Sequence, residues 1–150
     1  EPCASGRRLG DFHDINPDAC GVRCPCSRTA FLMAFDEVVQ RVTAALKEEG
    51  FGVLTDIDVQ ATLKAKLGAD MPPYRILGAC NPSFAHQALQ IEDKLGVLLP
   101  CNVIVRDAGD GQTEVAAIDP VTSMDRTDNS KLAAIAGDVR VRLRRAVEHV

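Results

Sequence analysis

The chain has 150 residues, of which 46% are hydrophobic and 25% charged, a balance that suits one ordinary globular domain with a core of its own. A formal net charge of −4, no Trp and a single Tyr argue against nucleic acid as a partner, because neither a basic patch nor a stacking surface is supplied. No apolar run approaches the ~20 residues of a membrane span, so no membrane partner is expected and a cytoplasmic location is.

Residues 1–27 show no sustained period of 2 or 3.6, and Gly, Pro, Asp, Asn, Ser and Arg dominate them. They read as a disordered extension or as sequence foreign to the domain, which is placed at 28–150. Arg7-Arg8 resembles a twin-arginine signal, but the polar Leu9–Asp18 stretch lacks the apolar segment such a signal needs.

Periodic structure starts with a short strand at Ser27–Met33. Asp36–Glu49 follows as a helix, with Val38, Val39, Val42, Ala45 and Leu46 on one stripe. Gly50 stands where a left-handed residue ends a helix, and Phe51 can fold back on that end. Phe51–Ile57 reads as a strand. Asp58 caps a second helix, Val59–Leu67, closed by Gly68. Pro72-Pro73 forces an extended entry into the strand Tyr74–Cys80. Asn81-Pro82 is a cap followed by Pro at the first helical position, and a third helix runs through Gln90. Strands at Leu98–Arg106 and Thr113–Ile118 flank the Gly-rich hairpin loop Asp107–Gly111. Ser130–Val150 is the last helix, with Leu132, Ile135, Val139, Leu143, Ala146 and Val147 in one stripe. The order β-α-β-α-β-α-β-β-α predicts an α+β domain whose mixed sheet is covered by helices.

The strings EEGFGVLTDIDVQATLKAKLG, YRILGACNPSFAHQAL, GVLLPCNVIV and AIDP, in this order, resemble the family called domain of unknown function three-hundred-and-two. The likeness covers roughly Phe31 to Val150. It implies a fold similar to the TATA-box-binding-protein-like α+β domains and a small homodimer, and it carries no reaction with it. The dimer also fits the residues. The strands Phe51–Ile57 and Leu98–Val105 are apolar on both alternations, which leaves a sheet face or edge in need of cover.

Six Cys fall into two groups. Cys3, Cys20, Cys24 and Cys26, with His13, lie in the extension. One loose knuckle of thiols is a poor zinc site, and they are read as adventitious. Cys80-Asn81 and Cys101-Asn102 repeat one another at strand ends. If their strands are neighbours, both corners lie at one end of the sheet, and their thiols could share a pocket for a small molecule or a soft metal ion. The plainer reading is that each Cys is a small buried apolar residue, with Asn81 a helix cap.

Other polar residues read as structural. Asp56 and Asp58 are taken to point to opposite faces, as a cap plus one inward carboxylate. Lys64, Lys66 and His86 are taken as solvated, and Arg75 as a lone candidate anion contact. There is no phosphate loop, Gly-x-Ser-x-Gly, His-Glu-x-x-His or Cys-x-x-Cys. No cofactor is expected, and whether the domain is an enzyme stays open. Two functions follow. One is a dimeric binding or sensing module with a pocket at Cys80, Asn81, Cys101 and Asn102. The alternative is a thiol enzyme of sulfur or redox metabolism using Cys80 or Cys101, which would require a depressed thiol pKa.

Overall fold

The structure, a computed structural model, describes residues 26–124, 127 and 129–150. Most of the extension, with His13 and its thiols at Cys3, Cys20 and Cys24, lies outside the described residues, as does the side chain of Cys26.

Five strands form one sheet: β1 (Cys26–Phe31), β2 (Gly52–Asp58), β3 (Tyr74–Cys80), β4 (Cys101–Gly109) and β5 (Gln112–Ile118), in the spatial order β1-β5-β4-β3-β2. The α+β class and the nine expected elements are present in their expected order. The mixed pairing is not, because every neighbouring pair is antiparallel. The connections β2-α2-β3 and β3-α3-β4 each return to the adjacent strand, so the helices act as long hairpin loops rather than as parallel crossovers.

β1 begins at Cys26, one residue before its expected start, and pairs with β5 from Cys26↔Ile118 to Phe31↔Thr113. The strand expected from Leu98 starts only at Cys101. Leu95–Leu98 is a 3₁₀ turn, and a cis Leu99-Pro100 bond leads into β4.

The helices are α1 (Phe35–Glu48), α2 (Val59–Leu67), α3 (Pro82–Ile91), α4 (Pro120–Met124) and α5 (Ser130–Glu148). α4 is not among the expected elements. Asp119 starts it by accepting from the Val121 amide at 3.0 Å, with Pro120 at the first helical position. α1 ends as its sequence requires. Gly50 has φ +86°, its amide donates to the Lys47 carbonyl at 3.0 Å, and the Phe51 amide donates to the Leu46 carbonyl at 2.8 Å. That double closure turns Phe51 inward, where it is 3% exposed. Asp58 caps α2 through the Ala61 amide at 2.8 Å, and Gly68 closes it at φ +67°.

The stripes of α1 and α5 pack on the sheet face built by Leu77, Ala79, Cys101, Val103, Val105, Val115 and Ala117. α5 buries six residues and α1 four, so these two helices carry most of the helical half of the core. A second cluster joins Ala88, Leu95, Met124, Leu132 and Ala136 beside the first, and Ile135 packs against both.

The opposite sheet face carries a continuous row in register, Ile57, Ile76, Ile104 and Ala116, one residue from each of four strands. Ile57, on the edge strand, is 46% exposed.

Candidate functional site

The two Cys-Asn corners lie at the same end of the sheet. Ala79 on β3 pairs with Cys101 on β4, and Cys80 is the next residue along β3. Paired Cα atoms in such a ladder stand about 5 Å apart and sequential ones 3.8 Å, so the Cys80 and Cys101 Cα atoms lie within roughly 9 Å.

A pocket opens there, in the seam between the two core clusters. It is partly open to solvent, and its free space of about 20 Å³ suits a single water-sized guest. Cys80, Asn81 and Cys101 line it. Its apolar walls come from Phe51 after α1, Phe84 and Ala88 on α3, Met124 on α4, and Ile135 and Val139 on α5. Among the described residues no charged side chain lines it.

The residues enter this pocket in different ways. Cys101 stands with Ala79 on the helix side of the sheet and is 7% exposed, within the main core. The strand period turns Cys80, one step past Ala79, toward the other side, so it reaches the pocket from the rim and is only half-buried. Asn81 starts α3. Its Oδ1 accepts from the Phe84 amide at 3.4 Å, and its Nδ2 stands 3.0 Å from where a Cβ on Gly50 would lie. Asn102 is not part of the pocket. Period 2 turns it away from Cys101, it pairs with Gly78 on the outer face, and it is exposed.

Burial, and secondly the charge of nearby Cys80, push the Cys101 thiol up to about 11. Burial also pushes the Cys80 thiol up. The macrodipole of α3 begins beside Cys80, yet desolvation is the effect that wins. Both corners therefore hold neutral thiols near pH 7, whereas nucleophilic Cys needs the opposite shift. Among the described residues no group of three or more His, Cys, Asp or Glu side chains is arranged to hold a metal ion.

The remaining candidates are accounted for locally. Asp56 and Asp58 share a face, as residues two apart on a strand must, which corrects the opposite-face expectation. Both engage Arg75: its Nη1 donates to Asp56 Oδ2 at 2.8 Å, and its Nε lies 3.7 Å from Asp58 Oδ2. The hydrogen bond to Asp56 raises the Arg75 pKa, so that cation is already neutralised rather than waiting for an anion. Lys64 pairs with Asp70 at 2.6 Å, and His86 is exposed beside Gln90.

The pocket walls were only partly visible in the sequence. Phe84 and Ala88 fall on the expected α3 face, and Ile135 and Val139 stand four apart on the α5 stripe. Met124 depends on α4, whose one signal is the Asp119-Pro120 start.

No helix of the described residues is long and apolar enough to cross a membrane. No curated protein matches the chain. Among solved structures, the crystal structure of an uncharacterized conserved DUF302 protein from Bacillus stearothermophilus is similar, at 29% identity and a TM-score of 0.77, over 83% of this chain and 97% of that one. The family model described as domain of unknown function DUF302 matches residues 27–150, from the second residue of β1 to the last residue, and with that span the chain belongs to the DUF302 family.

Proposed function

We propose that this domain is a binding or sensing module that takes a small, uncharged, apolar guest in the seam pocket and acts as a symmetric homodimer. The observation that carries the reading is the pocket itself. The neutral Cys101 thiol, the Asn81 amide and apolar side chains from three helices meet around a space to which no described residue brings a charge. A soft metal ion is the weaker guest, because both thiols are held protonated by burial and among the described residues no third His, Cys, Asp or Glu joins them. The thiol-enzyme alternative is weaker for another reason. Both thiols are held protonated by burial, and among the described residues no basic side chain lines the pocket to activate either.

The dimer reading rests on the Ile57–Ile76–Ile104–Ala116 row, which faces away from α1 and α5. Ile57 is exposed, Ile76 and Ile104 are half-buried, and Ala116 is buried, so a partner would cover the Ile57 end. A second copy supplies the same row across a two-fold axis, the commonest way such a face is covered.

Xenon is a suitable probe of the pocket, since apolar cavities take it up without help from polar groups, and being larger than water it reports a pocket whose walls give way to a guest. Under a few bar of xenon, methyl resonances of Ala79, Ala88, Met124, Ile135 and Val139 should shift saturably while those of α2 stay still. Shifts that are absent, or spread evenly over the protein, would overturn the binding reading. Silver(I) titration into reduced protein tests the metal guest directly, and one tightly bound ion per chain removed by Cys101→Ala would replace the apolar guest with a soft cation.

A further inference from the structure

One wall of the pocket is a helix that is lightly seated. α3 buries one residue, Ala88, against six for α5 and four for α1. Its capping bond, from the Phe84 amide to Asn81 Oδ1, is long at 3.4 Å. Phe84 sits in its first turn and forms a pocket wall while packing against the main core.

Arg142, on α5, holds that wall from outside. Its Cζ lies 5.6 Å from the centroid of the Phe84 ring, and its Nη1 donates to the Glu49 carbonyl at the end of α1 at 3.4 Å. One exposed side chain thus ties together the first turn of α3, the end of α1 and the last third of α5. The Glu49 carbonyl and the Phe84 ring share one exposed guanidinium, each by a single light contact.

We infer that the first turn of α3 is the gate of the Cys101 pocket and that Arg142 is its latch. The inference rests on the seam pocket being the guest site. With Phe84 in place the pocket has free space for only one water-sized guest. Anything larger enters when Phe84 swings outward about Asn81-Pro82, which breaks the long capping bond and the Arg142 contact and leaves the sheet and α5 unchanged. Arg142 is a positioning residue here and touches no guest.

Peptide-resolved alkylation of Cys101 by N-ethylmaleimide, in the full reduced chain at pH 7.5, reads the opening. An exposed cation–π contact corresponds to about a two- to five-fold change in an opening equilibrium, so Arg142→Ala should label Cys101 faster by that factor. Phe84→Leu should do the same, and the double variant should gain nothing over Phe84→Leu alone, because both changes remove one contact. Arg142→Lys should recover part of the protection. The rates should be flat between 0 and 1 M urea, the mark of a local opening rather than global unfolding. Equal rates in Arg142→Ala and wild type, fully additive effects, or rates that climb with urea as global unfolding does would each overturn the gate.

Failure of the gate is distinguishable from failure of the pocket. Xenon shifts retained with unchanged Cys101 labelling defeat the gate alone. Faster labelling in Arg142→Ala without xenon shifts in either protein defeats the guest reading and leaves the gate standing.

Discussion

Thr113 on β5 donates its hydroxyl to the carbonyl of Met33 at 2.9 Å, across 80 positions of sequence, and it is 3% exposed. The bond fixes the turn between β1 and α1 to the β4–β5 hairpin. That turn must be firm, because α1 leaves it at once to lie on the sheet. Thr113→Val keeps the shape and strands the Met33 carbonyl, so it should cost about 1–3 kcal/mol of stability in urea unfolding. Thr113→Ser, which keeps the hydroxyl, should cost clearly less; equal costs would mean that the methyl group rather than the bond matters.

Gly78 faces β2 and the residue that opens β4. A Cβ built there would stand 2.7 Å from Pro100 Cγ and would collide with Thr55 Oγ1. Gly78→Ala should therefore destabilise the sheet by about 1–3 kcal/mol, the usual cost of overpacking. Adding Thr55→Gly should recover part of that loss, and a melting temperature equal to wild type for Gly78→Ala would refute the close packing of β2 on β3.

The Cys101 thiol gives the protein a pH dependence of known sign. Burial raises its pKa to about 11 in the folded state, against an ordinary thiol near 9. The unfolded chain then loses its proton first, so the stabilising effect of the neutral thiol is whole below about pH 9 and fades as pH climbs toward 11. The loss should be on the order of 2 kcal/mol across that window. Cys101→Ala should be less stable at pH 7 yet flatter between pH 9 and 11. A variant as steep as wild type there assigns the slope to another group.

Charging the outer sheet face tests assembly. Ile104→Glu places a carboxylate in the middle of the row that includes Ile57 and Ile76. Sedimentation of wild type at micromolar concentration should give a species of twice the 16.1 kDa chain mass, and Ile104→Glu should shift it to monomer. Wild type that sediments as a monomer means the row is covered within the chain.

The sequence carried most of this fold because its local signals agree with one another. Gly50 and Phe51, Asp58 and Gly68, and Asn81 and Pro82 each mark a boundary by backbone or capping chemistry that acts over a few residues, and each holds in the structure. Strand pairing is not local, which is why the antiparallel arrangement was missed: a helix between two strands looks the same from inside whether the chain returns beside the first strand or crosses over it. The site shows the same divide. Cys80 and Cys101 were placed at one end of the sheet because both stand at strand ends. Asn102 was grouped with them by its position next to Cys101, although strand alternation turns adjacent residues to opposite faces. Arg142 over Phe84 had no local signal, since the two residues meet only when α3 and α5 pack together.

The order β1-β5-β4-β3-β2 has a consequence for the protein as it is being made. The strands β2 to β5 each pair with a sequence neighbour, so that four-stranded ribbon can grow as the chain leaves the ribosome. β1 emerges first and waits, since its partner runs from Gln112 to Ile118. At ordinary elongation rates the delay is on the order of 5 to 20 s. For that time the nascent chain presents a free strand ending in Phe31 whose partner edge does not yet exist. Chaperone engagement should be sought on these first folded-domain residues, and it should end when β5 clears the exit tunnel.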